Sequence, residues 1–257
     1  MLDIRIRRSP SIAGEGGPDP VHSCLAWREM IVCRIDPHTH NPRLAVAIVD
    51  DSPAMREGLA RLISDECDLK AVASAASASE LRALVTRHPP QVLVMELMLE
   101  EGDGLALLKD VLTLAPAMRV VVFTMQADAV YAGRCMRAGA SAFVNKREPV
   151  GTLLRSIREA AIGRVMLPPI MAADLLDSGT PARSAKDDTT TRLTDRELQV
   201  FRLAGLGRPT RVIAGQLGVS VKTVESHREN IKNKLNLGTH AELVARAAQW
   251  LRKTGGV

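Results

Sequence analysis

The sequence predicts a two-part protein, with a doubly wound α/β domain followed by a small all-α domain. Two observations support this prediction. Between residues 44 and 168, five short apolar segments alternate with helical segments, which is the pattern of a parallel sheet covered on both faces. From residue 192 onward, apolar residues recur at helical spacing, and start and stop signals divide the segment into four short helices.

The α/β domain is predicted to repeat strand and helix five times. Its strands are the apolar segments 44–49, 69–75, 91–97, 118–124 and 141–145. Ser52 followed by Pro53 predicts the start of the first helix, because serine caps free N–H groups and proline fits the first helical turn. The spacing Ser77-x-x-Glu80 predicts a capping box at the second helix. Gly139 predicts the end of the fourth helix.

The centre of the all-α domain is a predicted helix-turn-helix. Gly218 is suited to end one helix in the left-handed conformation, and Ser220 is suited to cap the next. That second helix, residues 220–235, has an apolar side and a polar side flanked by basic residues, which suits the major groove of DNA. Thr194-x-x-Glu197 and Thr239-x-x-Glu242 predict capping boxes for the outer helices.

Positive charge is concentrated in this terminal domain. Residues 192–257 contain twelve Lys and Arg against five Asp and Glu, a net charge of +7, whereas the whole 257-residue chain carries +5. This concentration favours phosphate contacts over a helical bundle with a merely solvated charged face. Only 2% of the residues are aromatic, which argues against a single-strand binder that needs stacking platforms.

Composition also indicates the cellular compartment and the segments that lie outside the two domains. Four scattered cysteines indicate reduced thiols in a cytoplasmic protein rather than disulfides or a zinc site. No apolar run approaches the roughly 20 residues of a membrane span. Residues 1–43 show no periodicity and are predicted to be a disordered extension. Residues 169–191, rich in Ser, Thr, Pro and Asp, are predicted to be a flexible tether between the domains at 44–168 and 192–257.

Polar side chains follow the predicted strands at one edge of the sheet. They are Asp50 and Asp51 after the first strand, Glu96 in the third, Thr124 in the fourth and Lys146 after the fifth. Any one of them alone would be explained by contact with solvent, but together they predict a site at the carboxyl edge. Clustered carboxylates need a cation nearby. Lys146 supplies one, and magnesium is the other candidate, with Asp51 and Glu96 as its ligands.

Residues Leu44 to Arg164 resemble the receiver domain of response regulators. The resemblance rests on the residues at the strand ends, on Lys146-x-x-Pro149, on Phe143 at the aromatic switch position and on Gly104 after the strand-three acid. It implies a flavodoxin-like sheet with the strand order 2-1-3-4-5. In this family the strand-three acid is an aspartate that accepts phosphate from a sensor histidine kinase, so a kinase is an implied partner.

The segments LTDRELQVF, VIAGQLGVSVKTVESHRENIKNKL and AELV resemble a LuxR-type DNA-binding domain. The whole chain therefore resembles the NarL/FixJ class of two-component transcription regulators. Promoter DNA and a second copy of the chain are the implied partners, with dimerisation through the receiver, the last helix (Thr239 to about Leu251), or both. The implied groove-facing residues are Lys222, Glu225, Ser226 and Glu229, and the implied phosphate contacts are Thr223, Arg228 and Lys232. For His227, packing in the domain and contact with DNA both stay open.

The chain departs from the receiver pattern at the position that accepts phosphate. Glu96 stands where the family has aspartate, and its side chain is longer by one carbon–carbon bond, ~1.5 Å. A misplacement near 1 Å costs about a hundredfold in rate. Three interpretations stay open. Glu96 imitates the phosphorylated aspartate, or the site is degenerate and the receiver serves only for docking or dimerisation, or Glu96 or Asp103 is itself phosphorylated.

These features favour a transcription regulator over two other classes of protein. An adaptor that uses a receiver-like domain to bind a protein partner would not need the net charge of +7 in its terminal domain. An enzyme that catalyses its own phosphotransfer would need the aspartate that Glu96 replaces. We therefore expect a non-enzymatic, DNA-binding response regulator. Its target promoters and the sign of regulation cannot be predicted from the sequence.

Overall fold

Five parallel strands form a sheet in the order β2-β1-β3-β4-β5, which confirms the strand order that the resemblance implied. They are β1 (Leu44–Val49), β2 (Leu69–Ala75), β3 (Val92–Met95), β4 (Arg119–Thr124) and β5 (Ala142–Asn145). Strand β3 ends two residues earlier than predicted. There the Glu96 carboxylate turns back and accepts the Met98 N–H at 2.9 Å, which closes a turn.

The computed structural model describes residues 43–99, 103–126, 128–168, 171 and 189–254. The predicted N-terminal extension and most of the predicted tether lie outside these residues. The end of the tether differs from the prediction, because residues Thr189–Arg192 form a 3-10 helix in which Thr190 is buried. Within the described part of the chain, no helix has both the length and the apolar character that a membrane span requires.

Helices cover both faces of the sheet, as the continuous apolar strands predict. They are α1 (Pro53–Ser64), α2 (Ala78–Arg87), α3 (Gly104–Leu114), α4 (Asp128–Arg137) and α5 (Val150–Ala161). Successive residues of β1 point to opposite faces, so Ile48 packs in one apolar cluster with residues of α1 and α5. Val49 packs in the other cluster with residues of α2, α3 and α4. Because these strands run parallel, the carboxyl ends of β1, β3 and β4 lie together at one edge.

The helical domain contains the four predicted helices. They are α6 (Asp195–Gly205), α7 (Thr210–Leu217), α8 (Val221–Leu235) and α9 (His240–Thr254). Gly218 ends α7 in the left-handed region, at a φ of 63°, and the Ser220 hydroxyl caps α8, so the predicted turn is confirmed. Helix α9 continues to Thr254, beyond the predicted end, where the Thr254 hydroxyl donates to the Trp250 carbonyl at 3.0 Å.

Only one of the three predicted capping boxes is complete. At α6 the Thr194 hydroxyl accepts the Glu197 N–H, and the Glu197 carboxylate accepts the Thr194 N–H at 2.8 Å. At α2 the Glu80 carboxylate instead accepts the N–H of Ala76, one residue before the cap. At α9 the Glu242 carboxylate accepts the Gly238 N–H in the same way. The reciprocal bond predicted at these two helices is therefore wrong, although each cap hydroxyl accepts its N3 N–H as predicted.

Residues 42–257 form one unit in which the two domains are in contact. The Arg134 guanidinium of α4 donates to Asp195 at 2.6 Å, to the Leu193 carbonyl at 2.8 Å and to the Thr190 carbonyl at 3.1 Å. Lys109 of α3 also donates to Asp195, at 3.1 Å. Burial alone would raise the pKa of Asp195, but these two cations outweigh it and lower the pKa. We call Lys109, Arg134 and Asp195 the interdomain cluster.

Tyr131, the one tyrosine in the sequence, is buried beside this cluster. Its hydroxyl has no hydrogen-bond partner among the described residues, and burial raises its pKa to about 12. An unfolded tyrosine titrates near pH ~10. Since the fold keeps the phenol protonated, the resulting stability is complete below that pH and is lost as the pH rises through the raised pKa.

Tyr131 therefore reports whether the two domains stay in contact. Replacing Arg134 by alanine removes three interdomain hydrogen bonds. Loss of the Arg134 charge alone would raise the pKa of Tyr131, because that cation lowers it. We expect the pKa to fall toward its ordinary value instead, because water reaches the phenol as the domains separate. Tyrosinate absorbance followed against pH measures the change, with circular dichroism to establish that the protein stays folded. Arg137→Ala, on the exposed side of the same helix, is the control. Equal titration curves for the two variants would contradict the proposed contact.

Candidate acidic pocket and nucleic-acid interface

Four of the five side chains predicted at the sheet edge form one hydrogen-bonded group. Glu96 is buried at the end of β3. One of its carboxylate oxygens accepts from the Thr124 hydroxyl at 2.5 Å, and the other lies 2.7 Å from the Lys146 ammonium. Lys146 also donates to Asp50 at 2.5 Å. We call Asp50, Glu96, Thr124 and Lys146 the acidic pocket.

Lys146 offsets part of the negative charge of the pocket. Burial alone would lower the pKa of its ammonium, but the neighbouring Glu96 and Asp50 carboxylates outweigh burial and raise it. Because the side chains of Lys146 and Asp50 are only 9% and 3% exposed, water screens this ion pair weakly. The ammonium also lies 5.8 Å from the centre of the Phe123 ring. The pocket therefore holds two carboxylates against one protonated lysine.

Asp51 is not joined to this group. Its side chain has no hydrogen bond or ion pair among the described residues, although its main-chain carbonyl accepts from Arg56 at 3.0 Å. Within the same residues, no group of three potential metal ligands is arranged around a common point. Lys146 lies between the two pocket carboxylates, where it already supplies a positive charge. This arrangement fits a magnesium ion on Asp51 and Glu96 poorly, since both Glu96 oxygens are already bonded.

Thr124 of the pocket and Phe143, at the aromatic switch position, are both buried. Thr124 is fully buried, and its hydroxyl is bonded to Glu96. Phe143 is also buried, in the apolar cluster that includes Tyr131. Asp103 lies elsewhere, because its carboxylate caps α3 through the Ala106 N–H at 3.0 Å. Asp103 also faces Arg196 of the helical domain at 3.5 Å.

The residues expected to face the DNA groove share one exposed side of α8. This side, which we call the reading face, consists of Lys222, Glu225, Ser226 and Glu229. Asn230 and Asn233, two further polar residues of α8, are also exposed. The reading face is exposed while the two domains are in contact.

The three residues expected to contact phosphates are partly buried and are held within the protein. The Thr223 hydroxyl lies 2.8 Å from the hydroxyl of the cap residue, Ser220. Arg228 donates to the Thr210 hydroxyl at 2.6 Å, and Lys232 pairs with Glu229 at 2.8 Å. His227 is half-buried. Arg228 is thus positioned to support α7 and α8 against each other.

Comparison with known proteins places the two domains in one family. A family model of the response regulator receiver domain matches residues 46–158. A model of bacterial regulatory proteins of the luxR family matches residues 191–247. The oxygen regulatory protein NreC of Staphylococcus carnosus is 31% identical over 207 residues, which cover 78% of this chain and 95% of NreC. The chain is a response regulator of the NarL/FixJ class.

Two other similar proteins are also covered over almost their whole length. The transcriptional activator protein ExaE of Pseudomonas putida is 29% identical to this response regulator over 78% of the chain and 94% of ExaE. The structure of RcsB from Salmonella enterica serovar Typhimurium, bound to the promoter rprA, has a TM-score of 0.61 at 20% identity. It is covered over 99% of its length, and 80% of this chain is covered. This likeness shows that the response regulator shares the RcsB fold.

Proposed function

We propose that this response regulator acts in the cytoplasm, binds promoter DNA as a dimer and requires no phosphorylation of its receiver. The observation that supports phosphorylation independence is the double contact of Glu96 with Thr124 and Lys146. On a phosphorylated aspartate, the phosphoryl group places negative charge farther from the main chain than the carboxylate of an unmodified aspartate. Glu96 carries its charge about 1.5 Å farther than aspartate, and there it already bonds a hydroxyl and an ammonium.

The other two interpretations of Glu96 are less well supported. A degenerate site has no need to keep a buried carboxylate fully hydrogen-bonded, yet both Glu96 oxygens have partners at 2.9 Å or less. Phosphorylation of Glu96 would require one of these oxygens to leave its partner and attack in line. Asp103 is committed to the cap of α3 and to Arg196. We therefore propose that the receiver neither accepts phosphate nor catalyses its transfer.

The proposed partners are double-stranded DNA and a second copy of the chain. The net charge of +7 on residues 192–257 supports attraction to phosphates, and the exposed reading face supports entry into the major groove. RcsB is described in a complex with promoter DNA, and two RcsB dimers are described on parallel DNAs. The face available for dimerisation includes the exposed side of α9. A sensor histidine kinase is the input partner of the family, but the proposal assigns it no phosphate transfer here.

Incubation with acetyl phosphate and magnesium tests the proposal. We expect no slower band on a phosphate-affinity gel and no change in affinity for promoter DNA in a mobility-shift assay. A response regulator with an intact acceptor aspartate, treated in parallel, establishes that the phosphodonor is active. A slower band together with a large gain in DNA affinity would overturn phosphorylation independence.

The same mobility-shift assay separates a transcription regulator from an adaptor protein. If six to ten phosphates are contacted, affinity should fall by about a thousandfold or more between 50 and 200 mM salt. Affinity should also depend on promoter sequence, as expected of specific recognition. Weak binding that is insensitive to both salt and sequence would favour the adaptor.

A further inference from the structure

Two glutamates on the reading face differ in their surroundings. Glu225 and Glu229 are one helical turn apart on α8, and both are exposed. Glu229 pairs with Lys232 at 2.8 Å, and the Lys232 side chain is only 19% exposed. Glu225 has no hydrogen bond or salt bridge among the described residues. Glu229 is therefore paired at the side of the helix, whereas Glu225 presents an unpaired carboxylate.

Two cations, Lys222 and Arg228, lie three residues from Glu225 in the sequence, and neither forms a hydrogen bond or salt bridge with it among the described residues. Arg228 is close enough for Glu225 to favour its charged form, although burial lowers the pKa of Arg228 overall. One terminal nitrogen of Arg228 is bonded to Thr210 at 2.6 Å and lies 3.3 Å from His240. The guanidinium is thereby directed toward α7 and the start of α9. Glu225 keeps its accepting oxygens free for a ligand in the groove.

The chemistry of the groove determines which base suits an unpaired carboxylate. An ionised carboxylate only accepts hydrogen bonds, and it is repelled by the phosphates at the groove edges. The donors on the major-groove floor are the amino groups of cytosine and adenine. Adenine presents its N7 acceptor beside that amino group, which matches an amide rather than a carboxylate. Cytosine offers the amino donor without an adjacent acceptor on the same base.

We propose that Glu225 is a specificity-determining residue that accepts a hydrogen bond from the amino group of a cytosine in the operator, and that Glu229 makes no base contact. This inference rests on the proposed DNA-binding function. The residue lies in the second turn of α8, near the amino-terminal end from which helix-turn-helix proteins contact base edges. The contact does not require the domains to separate, because Glu225 is exposed in the joined arrangement.

Selection of binding sites from randomised duplex DNA tests this assignment with the full-length protein. The wild type should select one cytosine per half-site at the position that Glu225 faces. Glu225→Gln should change that position to adenine, which suits an amide, and leave the rest of the motif unchanged. On the original operator, Glu225→Gln should lose about tenfold in affinity, within the range for one base contact. Glu229→Gln tests the second half of the proposal and should select the wild-type motif. Glu57→Gln, at an exposed glutamate of α1 in the receiver, is the control and should change neither motif nor affinity.

The possible failures are distinguishable. An unchanged motif with Glu225→Gln overturns the inference and leaves DNA binding intact. A uniform gain in affinity for all sequences, with no change in motif, also overturns it, because Glu225 would then only repel phosphates. Failure of the wild type to enrich any sequence would instead contradict the proposed function. Circular dichroism of both variants establishes that the exposed substitutions leave α8 folded.

Discussion

Replacing Glu96 by aspartate is expected to make the receiver phosphorylatable by acetyl phosphate and magnesium. The shorter side chain withdraws its carboxylate by about 1.5 Å, so it no longer reaches Thr124 and Lys146 as Glu96 does at 2.5 and 2.7 Å. Space for a phosphoryl group then opens beside the same hydroxyl and ammonium. A phosphate-affinity gel should show a slower band for Glu96→Asp and none for the wild type.

DNA affinity should change in the same experiment. Without phosphodonor, Glu96→Asp should bind promoter DNA about tenfold more weakly than the wild type, a typical size for coupling between two sites. Phosphorylation should restore that loss. Glu96→Asn, which has no carboxylate, is the control and should stay weak with or without phosphodonor. If Glu96→Asp binds as tightly as the wild type before phosphorylation, imitation of the phosphorylated aspartate by Glu96 is disproved.

Replacing Lys146 by methionine should cause a large loss of stability. The substitution leaves Asp50 and Glu96 buried close together with no cation between them. Removing one partner of a buried ion pair costs about 3–5 kcal/mol in the free energy of unfolding. Urea denaturation at neutral pH measures this loss. Lys70→Met, an exposed lysine on β2, is the control and should change stability by less than about 0.5 kcal/mol.

The pH dependence identifies the cause of that loss. If the loss comes from unpaired negative charge in the pocket, the difference between Lys146→Met and the wild type should shrink as acid is added. In the wild type, the pKa of Lys146 is raised above the ordinary value of 10.5. Its contribution to stability is therefore complete below that value and is lost as the pH rises through the raised pKa. A difference that is constant between acid and neutral pH would point to lost packing instead of unpaired charge.

The sheet and the pocket could be predicted because short-range patterns determine them. The central strands β1 and β3 are apolar throughout, and β4 is apolar from Val120 to Phe123, since both faces of the sheet are buried. Parallel strands also bring their carboxyl ends to one edge. The position of Asp51 could not be predicted, because adjacent residues at a strand end point in different directions. Asp50 alone turns toward Lys146.

The contacts between the two domains could not be predicted from the sequence. Arg134 and Asp195 are 61 positions apart, and each resembles an ordinary surface charge on an amphipathic helix. No local period or motif links such residues, because their meeting depends on how two complete domains pack. The same limit applies to the end of the predicted tether, where polar residues 189–191 suggested an unstructured chain. Arg134 instead donates a hydrogen bond to the Thr190 carbonyl of this segment.

Two of the three interdomain bonds of Arg134 go to main-chain carbonyls, which affects how freely the two domains can evolve. A carbonyl is present whatever side chain a residue has, so substitutions at Thr190 and Leu193 keep both of these bonds as long as the backbone keeps its course. Only Asp195 must stay acidic to keep the charged bond. The side chains of Thr190 and Leu193 can therefore change during evolution without loss of these two hydrogen bonds. A helical domain taken from a relative would keep all three bonds to Arg134 if it retained this backbone course and an acidic residue at position 195.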